Sequence, residues 1–163
     1  MTEHSFKEIQ IQQIEESLFN PFGFVFRPTG DAGRFDHFGV IENLRKDARI
    51  NLAQVQADDR TQDTNIEIGT IERHSYSSQS FFPQDVETYL VVVCENGNDD
   101  RPLLSSLQAF CVPGDVGITY RPNVWHAGIS VLKGGRSFLM VIHEEKSPGD
   151  CEFVDIPLLR IRL

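Results

Sequence analysis

From Ile50 onward the chain is a succession of short apolar runs separated by turn residues, which is the pattern of strands rather than helices. Ile66, Ile68 and Thr70 alternate with Glu67, Gly69 and Ile71, and extending that alternation places Glu72 and His74 together on the first face. The segment Thr88–Cys94 is β-branched and aromatic and runs into the turn Glu95-Asn96-Gly97-Asn98, which predicts a strand buried on both faces. Further strands are predicted at Ile50–Val55, Leu107–Val112, Val116–Tyr120, Trp125–Val131 and Ser137–His143, divided by Pro113-Gly114-Asp115, Pro122-Asn123 and Lys133-Gly134-Gly135. Strands recurring every 8–12 residues or so belong to a sandwich or barrel. Helix is scarce: Glu15–Phe19 makes a turn or two before Asn20-Pro21, and Ile41–Asp47 is a second candidate. The stretch Arg34–Gly39, with Phe35, Asp36, His37 and Phe38, reads as an ordered loop.

A chain of 163 residues fits one domain, expected to span residues 1–163 with an N-terminal extension of about 30 residues. With 15 basic and 24 acidic residues it carries a net charge of −9, which argues against nucleic acid or an anionic membrane surface as partner. The longest apolar run, Tyr89–Cys94, is far short of the roughly 20 residues that cross a bilayer. Met1–Phe26 has no secretory pattern, and Cys94, Cys111 and Cys151 form no CxxC pair, so a reducing, cytoplasmic setting is expected.

The sharpest local signature is Pro113-Gly114-Asp115-x6-Pro122-x3-His126, in which two bends return a histidine into the interior. It is similar to the second motif of the cupin superfamily, whose members are double-stranded β-helix (jelly-roll) barrels, and the fold expected is mostly β with a few short helices. In that superfamily the histidine lines a pocket and often binds metal. The preceding hairpin here offers Glu72-Arg73-His74-x4-Gln79, so a metal, if bound, would use Glu72, His74, Gln79 and His126. Hydrogen bonding of an organic ligand in a metal-free pocket is the favoured expectation, with no cofactor.

A narrower resemblance rests on Ile71-Glu72-Arg73-His74-x4-Gln79-Ser80-Phe81-Phe82-Pro83, Tyr89-Leu90-Val91-Val92-Val93, Leu104-Ser105-Ser106-Leu107-Gln108-Ala109-Phe110, Gly117-x2-Tyr120-x2-Asn123-Val124-Trp125-His126 and the late Asp150-Cys151-Glu152 before Ile156-Pro157. In combination these resemble the ureidoglycolate lyase family, whose members are dimeric cupin-type barrels that cleave ureidoglycolate into glyoxylate and urea in allantoin breakdown. Where that family usually shows Tyr-His-Arg and a His-Pro, this chain has Tyr120-Arg121-Pro122 and Ala127-Gly128. Three other readings therefore stay open: a metal-dependent cupin enzyme, a cupin isomerase, dehydratase or cyclase on another small acid, and a non-catalytic small-acid-binding barrel.

The implied reaction is an elimination that needs a base for the carbinol hydroxyl proton and an acid for the departing nitrogen. His74 and His126 suit both tasks, since an ordinary imidazole titrates near 6.5, and Tyr120 is a further proton donor. Arg73 or Arg121 would grip the carboxylate, with Glu72 and Gln79 orienting the substrate and Trp125 walling the pocket. Alternation sets Arg73 opposite His74, so it would reach the pocket only at a bulge or across a dimer seam, and a salt-bridge role is its alternative. Phe81, Phe82 and Phe110 are expected in the core, and Asp58-Asp59 and Asp99-Asp100 as solvated loop charge. A homodimer is expected, with the segment Phe6–Pro28 and its Phe19, Phe22, Phe24 and Phe26 covered by a symmetric partner.

Overall fold

The structure is a computed structural model and describes residues 7–163, so Phe6 lies outside the described residues. In chain order they form β1 (Lys7–Gln13), α1 (Glu16–Phe19), β2 (Gly23–Phe26), β3 (Arg49–Gln56), β4 (Asp58–Asp59), β5 (Asn65–Arg73), β6 (Gln79–Pro83) and β7 (Val86–Cys94). There follow β8 (Gln108–Pro113), β9 (Gly117–Tyr120), β10 (Trp125–His126), β11 (Ser130–Gly134), β12 (Ser137–Glu144) and β13 (Glu152–Arg162), with single 3-10 turns at Leu104–Ser106 and Pro148–Asp150. The fold is mostly β, as the turn spacing predicts.

One sheet has the order β2-β9-β6-β12-β3, and the other β10-β5-β13-β1-β8-β7-β11-β4. In the larger sheet the two-residue strand β10 pairs with β5 through His126–Glu72 and with β7 through Trp125–Cys94 and His126–Val93. Six strands, β10, β5, β13, β1, β8 and β7, thereby close into a ring. Closure removes the sheet edges that would otherwise expose unpaired backbone groups.

Two cores result, and β7 is the wall between them. Its Tyr89, Val91 and Val93 join Phe19, Phe22, Phe81, Phe110, Ile118, Tyr120 and Phe138 in a core between the sheets. Its Leu90, Val92 and Cys94 join Ile66, Ile71, Trp125, Leu159 and Ile161 inside the ring. The period-2 geometry of a strand makes this division, and it explains why Leu90–Cys94 are all buried. Phe82, expected in the core, instead packs on Phe26 on the outer face of the five-stranded sheet, with ring centroids 5.2 Å apart.

The segment expected to need a partner is used within the chain: β1 lies parallel between β13 and β8, and Phe19 and Phe22 are fully buried. The helix expected at Ile41–Asp47 is absent. Its backbone groups bond the loop before β6 instead, Leu44 N–H to Tyr76 O at 2.8 Å and Ser78 N–H to Glu42 O at 3.0 Å, while Asn43 Oδ1 takes the Arg45 N–H at 3.1 Å. An Asx turn of this kind competes with helix for the same donors. Trp125–Val131 is likewise not one strand, because the chain breaks after His126 and resumes at Ser130.

The alternation along β5 also changes face partway. Between the pairs Ile68–Leu159 and Thr70–Asp155, residues 156–158 stand opposite Gly69 alone, a bulge that Pro157 with its missing N–H favours. Ile66 and Ile71 consequently share the ring interior despite an odd spacing, while Glu72 and His74 turn to the other side.

Gly114 shows why the Pro-Gly-Asp turn has its sequence: its N–H bonds Glu87 O at 2.8 Å, and a Cβ there would overlap the Val86 carbonyl. Gly114→Ala is expected to lower unfolding stability by about 1–3 kcal/mol through this overpacking, measured by urea denaturation.

Candidate active site

A cavity of about 310 Å³ opens between the two sheets, with Glu72 and His126 on one wall and Gln79, Phe81 and Met140 on the other. The end of β5 and the two residues of β10 bring in Glu72 and His126, and His74 follows directly after β5. One ligand atom from each of Glu72, His74 and His126 lies within 4.8 Å of the others. The imidazoles stack with centroids 5.5 Å apart, and the Tyr120 ring lies against His126 at 4.2 Å and 14°. Gln79 stands beside Tyr120 because β6 and β9 pair Gln79 with Tyr120.

Backbone carbonyls fix how the imidazoles carry their protons. His74 Nδ1 lies 2.7 Å from Asp150 O and His126 Nδ1 lies 3.0 Å from Val124 O. A carbonyl only accepts, so each Nδ1 bears hydrogen, and in the neutral ring each Nε2 offers a lone pair. Both Nε2 atoms are buried without a hydrogen-bond partner among the described residues, as are Tyr120 Oη and Gln79 Oε1. The Glu72 carboxylate faces His126 Nε2 at 3.5 Å. Acceptors so crowded repel one another unless a proton, a cation or a ligand donor stands among them, and this unmet demand marks the cavity as a place for chemistry.

The electrostatics follow from burial and mutual contact. Burial pushes the Glu72 carboxyl up, but its closeness to His126, with His74 and Cys151 adding, carries it below the ordinary carboxylate value. Burial, aided by His126, lowers His74 below the ordinary imidazole value against the opposing pull of Asp150 O and Glu72. Burial raises the Tyr120 phenol well above its usual range, so it keeps its proton. The Cys151 thiol, 3.5 Å from Glu72 Oε2, is pushed up to about 12 by burial and by Glu72, and serves as a donor to the carboxylate rather than as a nucleophile.

Several anticipated pocket residues stand elsewhere. Arg73 and Trp125, next in sequence to His74 and His126, point the opposite way: the Trp125 side chain is in the ring core and the Arg73 guanidinium lies 4.5 Å over it. Strand alternation is the reason. Arg121 is on the surface side of its turn, donating to Asn20 O at 3.3 Å. Asp100 is not free loop charge but pairs with Arg73 at 2.7 Å, and Asp58 lines the rim of the cavity.

Sequence reasoning gave no role to Asp150 or Arg45. The Asp150 carboxylate accepts the N–H groups of Glu145 and Ser147 and pairs with Arg45 at 2.7 Å, which pins the turn whose carbonyl sets the His74 tautomer. The readable signal was the capping box of Ser147 and Asp150 around Pro148.

Fold and site together define a cupin-type barrel whose pocket is built for proton transfer or cation binding between its two sheets. The family model for ureidoglycolate lyase matches residues 6–158, and the chain belongs to that family. It is similar to a ureidoglycolate lyase of Brucella anthropi, 31% identical over 88% of this chain and 87% of the relative, and to one of Escherichia coli K12, 27% identical over 92% and 95%. Among solved structures, a dTDP sugar isomerase from Desulfovibrio desulfuricans aligns with a TM-score of 0.44 and 16% identity over 82% of this chain and 85% of its own.

His74 is expected to titrate below 6.5, as followed by its imidazole proton resonances. Because the unfolded chain binds that proton more readily, the contribution of His74 to stability is complete above about 6.5 and is lost as pH falls below that value.

Proposed function

We infer that this chain is a ureidoglycolate lyase, an enzyme that breaks the carbon–nitrogen bond of ureidoglycolate to give glyoxylate and urea. The observation that carries the chemistry is the pair of imidazoles whose Nδ1–H groups are held by backbone carbonyls beside one half-buried carboxylate, Glu72, which lies 3.5 Å from His126 Nε2.

His74, held neutral by burial, takes the carbinol hydroxyl proton at Nε2. The electrons of that O–H bond form the aldehyde C=O, and the C–N bond breaks toward nitrogen. A proton held on His126 Nε2 against Glu72 passes to the departing nitrogen, which leaves as urea, and Tyr120 stands behind His126 as a second donor. The Gln79 amide faces the cavity and orients the ureido or carboxylate group. No Arg or Lys lines the cavity among the described residues, so the substrate's negative charge must be met by protonated imidazole or by a bound cation.

The donors present suit a divalent ion: Glu72, His74 and His126 would hold it, with Gln79 Oε1 near them, and it would supply positive charge for the substrate's carboxylate and hydroxyl oxygens. The proton-transfer roles above belong to the chain itself. Ureide breakdown in the course of allantoin and purine catabolism is the setting that fits the substrate. No helix of the described residues is long and apolar enough to cross a membrane, and we place the enzyme in the cytoplasm as one domain spanning the chain.

A homodimer is proposed through the outer face of the five-stranded sheet. Ile50 and Leu52 are each 66% exposed, and the pairings Leu52–Val141 and Leu139–Phe82 continue that apolar face across β12 and β6. A second copy burying the same patch is the self-complementary arrangement of a twofold dimer.

Freshly prepared ureidoglycolate is expected to release glyoxylate faster than its spontaneous decay, followed with a coupled reductase. His74→Ala and His126→Ala should each slow release by about 10²–10⁴-fold with the β-type circular dichroism retained. Turnover no faster than decay would reject the lyase reading; full activity in both variants would reject these residues alone. Light scattering is expected to give twice the 18.5 kDa chain mass, and Leu52→Glu to return it to the single-chain value.

A further inference from the structure

Behind the site, inside the mouth of the ring, lies a second polar cluster that the reaction does not touch. The Arg73 side chain is only 5% exposed and is fully engaged: it donates to Glu152 Oε2 at 2.7 and 2.9 Å, to Asp100 at 2.7 and 3.1 Å, to Asn123 Oδ1 at 2.8 Å and to Asn96 Oδ1 at 3.1 Å. Its guanidinium also lies over the Trp125 ring, whose Nε1–H donates to the same Asn96 oxygen at 2.9 Å. Asp100 and Asn123 adopt left-handed backbone, with φ of 58° and 69°, a conformation those residue types tolerate and which here aims both side chains at one cation.

The cluster and the site interleave along the same backbone. Arg73 lies between Glu72 and His74, Trp125 precedes His126, and Glu152 follows Cys151. Asn123 adds a further tie, donating its N–H to His74 O at 2.8 Å. Alternation sends one member of each neighbouring pair to the cavity and the other to the guanidinium. Fixing Arg73, Trp125 and Glu152 against one another therefore fixes the backbone from which Glu72, His74, His126 and Cys151 project.

We propose that Arg73 is the positioning residue of this enzyme, a fork-shaped cation that registers β5, β10 and the start of β13 so that the carboxylate and both imidazoles meet. This deepens the lyase reading and rests on it for the kinetic part of its test. Lysine cannot replace Arg73, since a point charge supplies neither the planar stack on Trp125 nor donors in so many directions. Consistent with firm engagement, the bonds from Arg73 and then Asn96 hold the Asp100 carboxyl down to about 2.

The test compares wild type, Arg73→Lys and Asp100→Asn, each first shown to keep the β-type circular dichroism. For Arg73→Lys, kcat is expected to fall about 10- to 100-fold, the usual scale for groups that orient a site from behind, with KM within about threefold of wild type. Trp125 is the single tryptophan of the chain, so intrinsic fluorescence reads the cluster directly, and its emission is expected to move in both variants. The ring-nitrogen NMR shifts of His126 should move with it. Asp100→Asn should show the same direction with a smaller loss, and it alone decides the matter if Arg73→Lys does not fold. An unchanged kcat with unmoved Trp125 emission would overturn the proposal, as would a large rise in KM at unchanged kcat, which would make Arg73 a substrate-binding group. If wild type lacks turnover on ureidoglycolate, the lyase reading fails, and unmoved Trp125 and His126 signals would still overturn the positioning role while shifted ones would sustain it.

Discussion

A strand can serve two interiors only by alternation, and this protein's organisation rests on that constraint at β7. With Tyr89, Val91 and Val93 on one side and Leu90, Val92 and Cys94 on the other, the second part of β7 is a buried partition whose one hydroxyl, that of Tyr89, donates to Val116 O at 2.7 Å. Each of its side chains contributes on the order of 1.5–3 kcal/mol of burial, so the partition anchors the sandwich and the ring at once. Both strands that carry the chemistry connect to it, β10 directly and β5 through β10. The same rule that divides apolar residues between two cores then divides polar ones, sending His126 to one side and Trp125 to the other.

Charge is buried on both sides of that partition, with opposite outcomes. Around Arg73 every direction of the guanidinium meets an acceptor or an aromatic face, so its desolvation is offset and the group is inert. Around Glu72 only the weak Cys151 thiol donates, and two imidazole nitrogens, a phenol and an amide oxygen are left without partners among the described residues. A satisfied network gives rigidity; an unsatisfied one, held in place by the first, gives reactivity. The Asp150 turn extends this division of labour, since its pinned carbonyl, not its carboxylate, faces His74.

The sequence carried the strands with strong apolar alternation, the turn that returns His126, and the gathering of Glu72 and Gln79 at its cavity with His74 and Tyr120 against its ring. It also carried the opposition of Arg73 to His74, because parity is local. What it did not carry was a destination for that opposite side, since nothing in Arg73-x51-Trp125 announces a closed ring with its own core. Residues 7–13 have a legible period of two in Ile9 and Ile11, yet their polar neighbours read as an extension until β13 and β8 supply partners. Pro157 interrupts the pattern of β13, and the resulting bulge reverses the parity of β5, so Glu72 and His74 share a face as expected, but it is the face opposite Ile66 and Ile68 rather than theirs. The capping box of Ser147 and Asp150 marks a turn but not that its carbonyl meets His74, and the weak thiol bond of Cys151 to Glu72 has no residue-type pattern at all.

The placement of β1 bears on how the chain reaches this state. It lies parallel between β8 and β13, so the first described strand is seated only when the last has formed. A nascent chain emerging from the ribosome can assemble strands through β12, but the interior of the ring stays open on one flank until β13 is released. Ring closure therefore waits on pairings between strands far apart in sequence and is slow for that reason. Removing β13 would leave β1 with no second neighbour, unseating the two strands together.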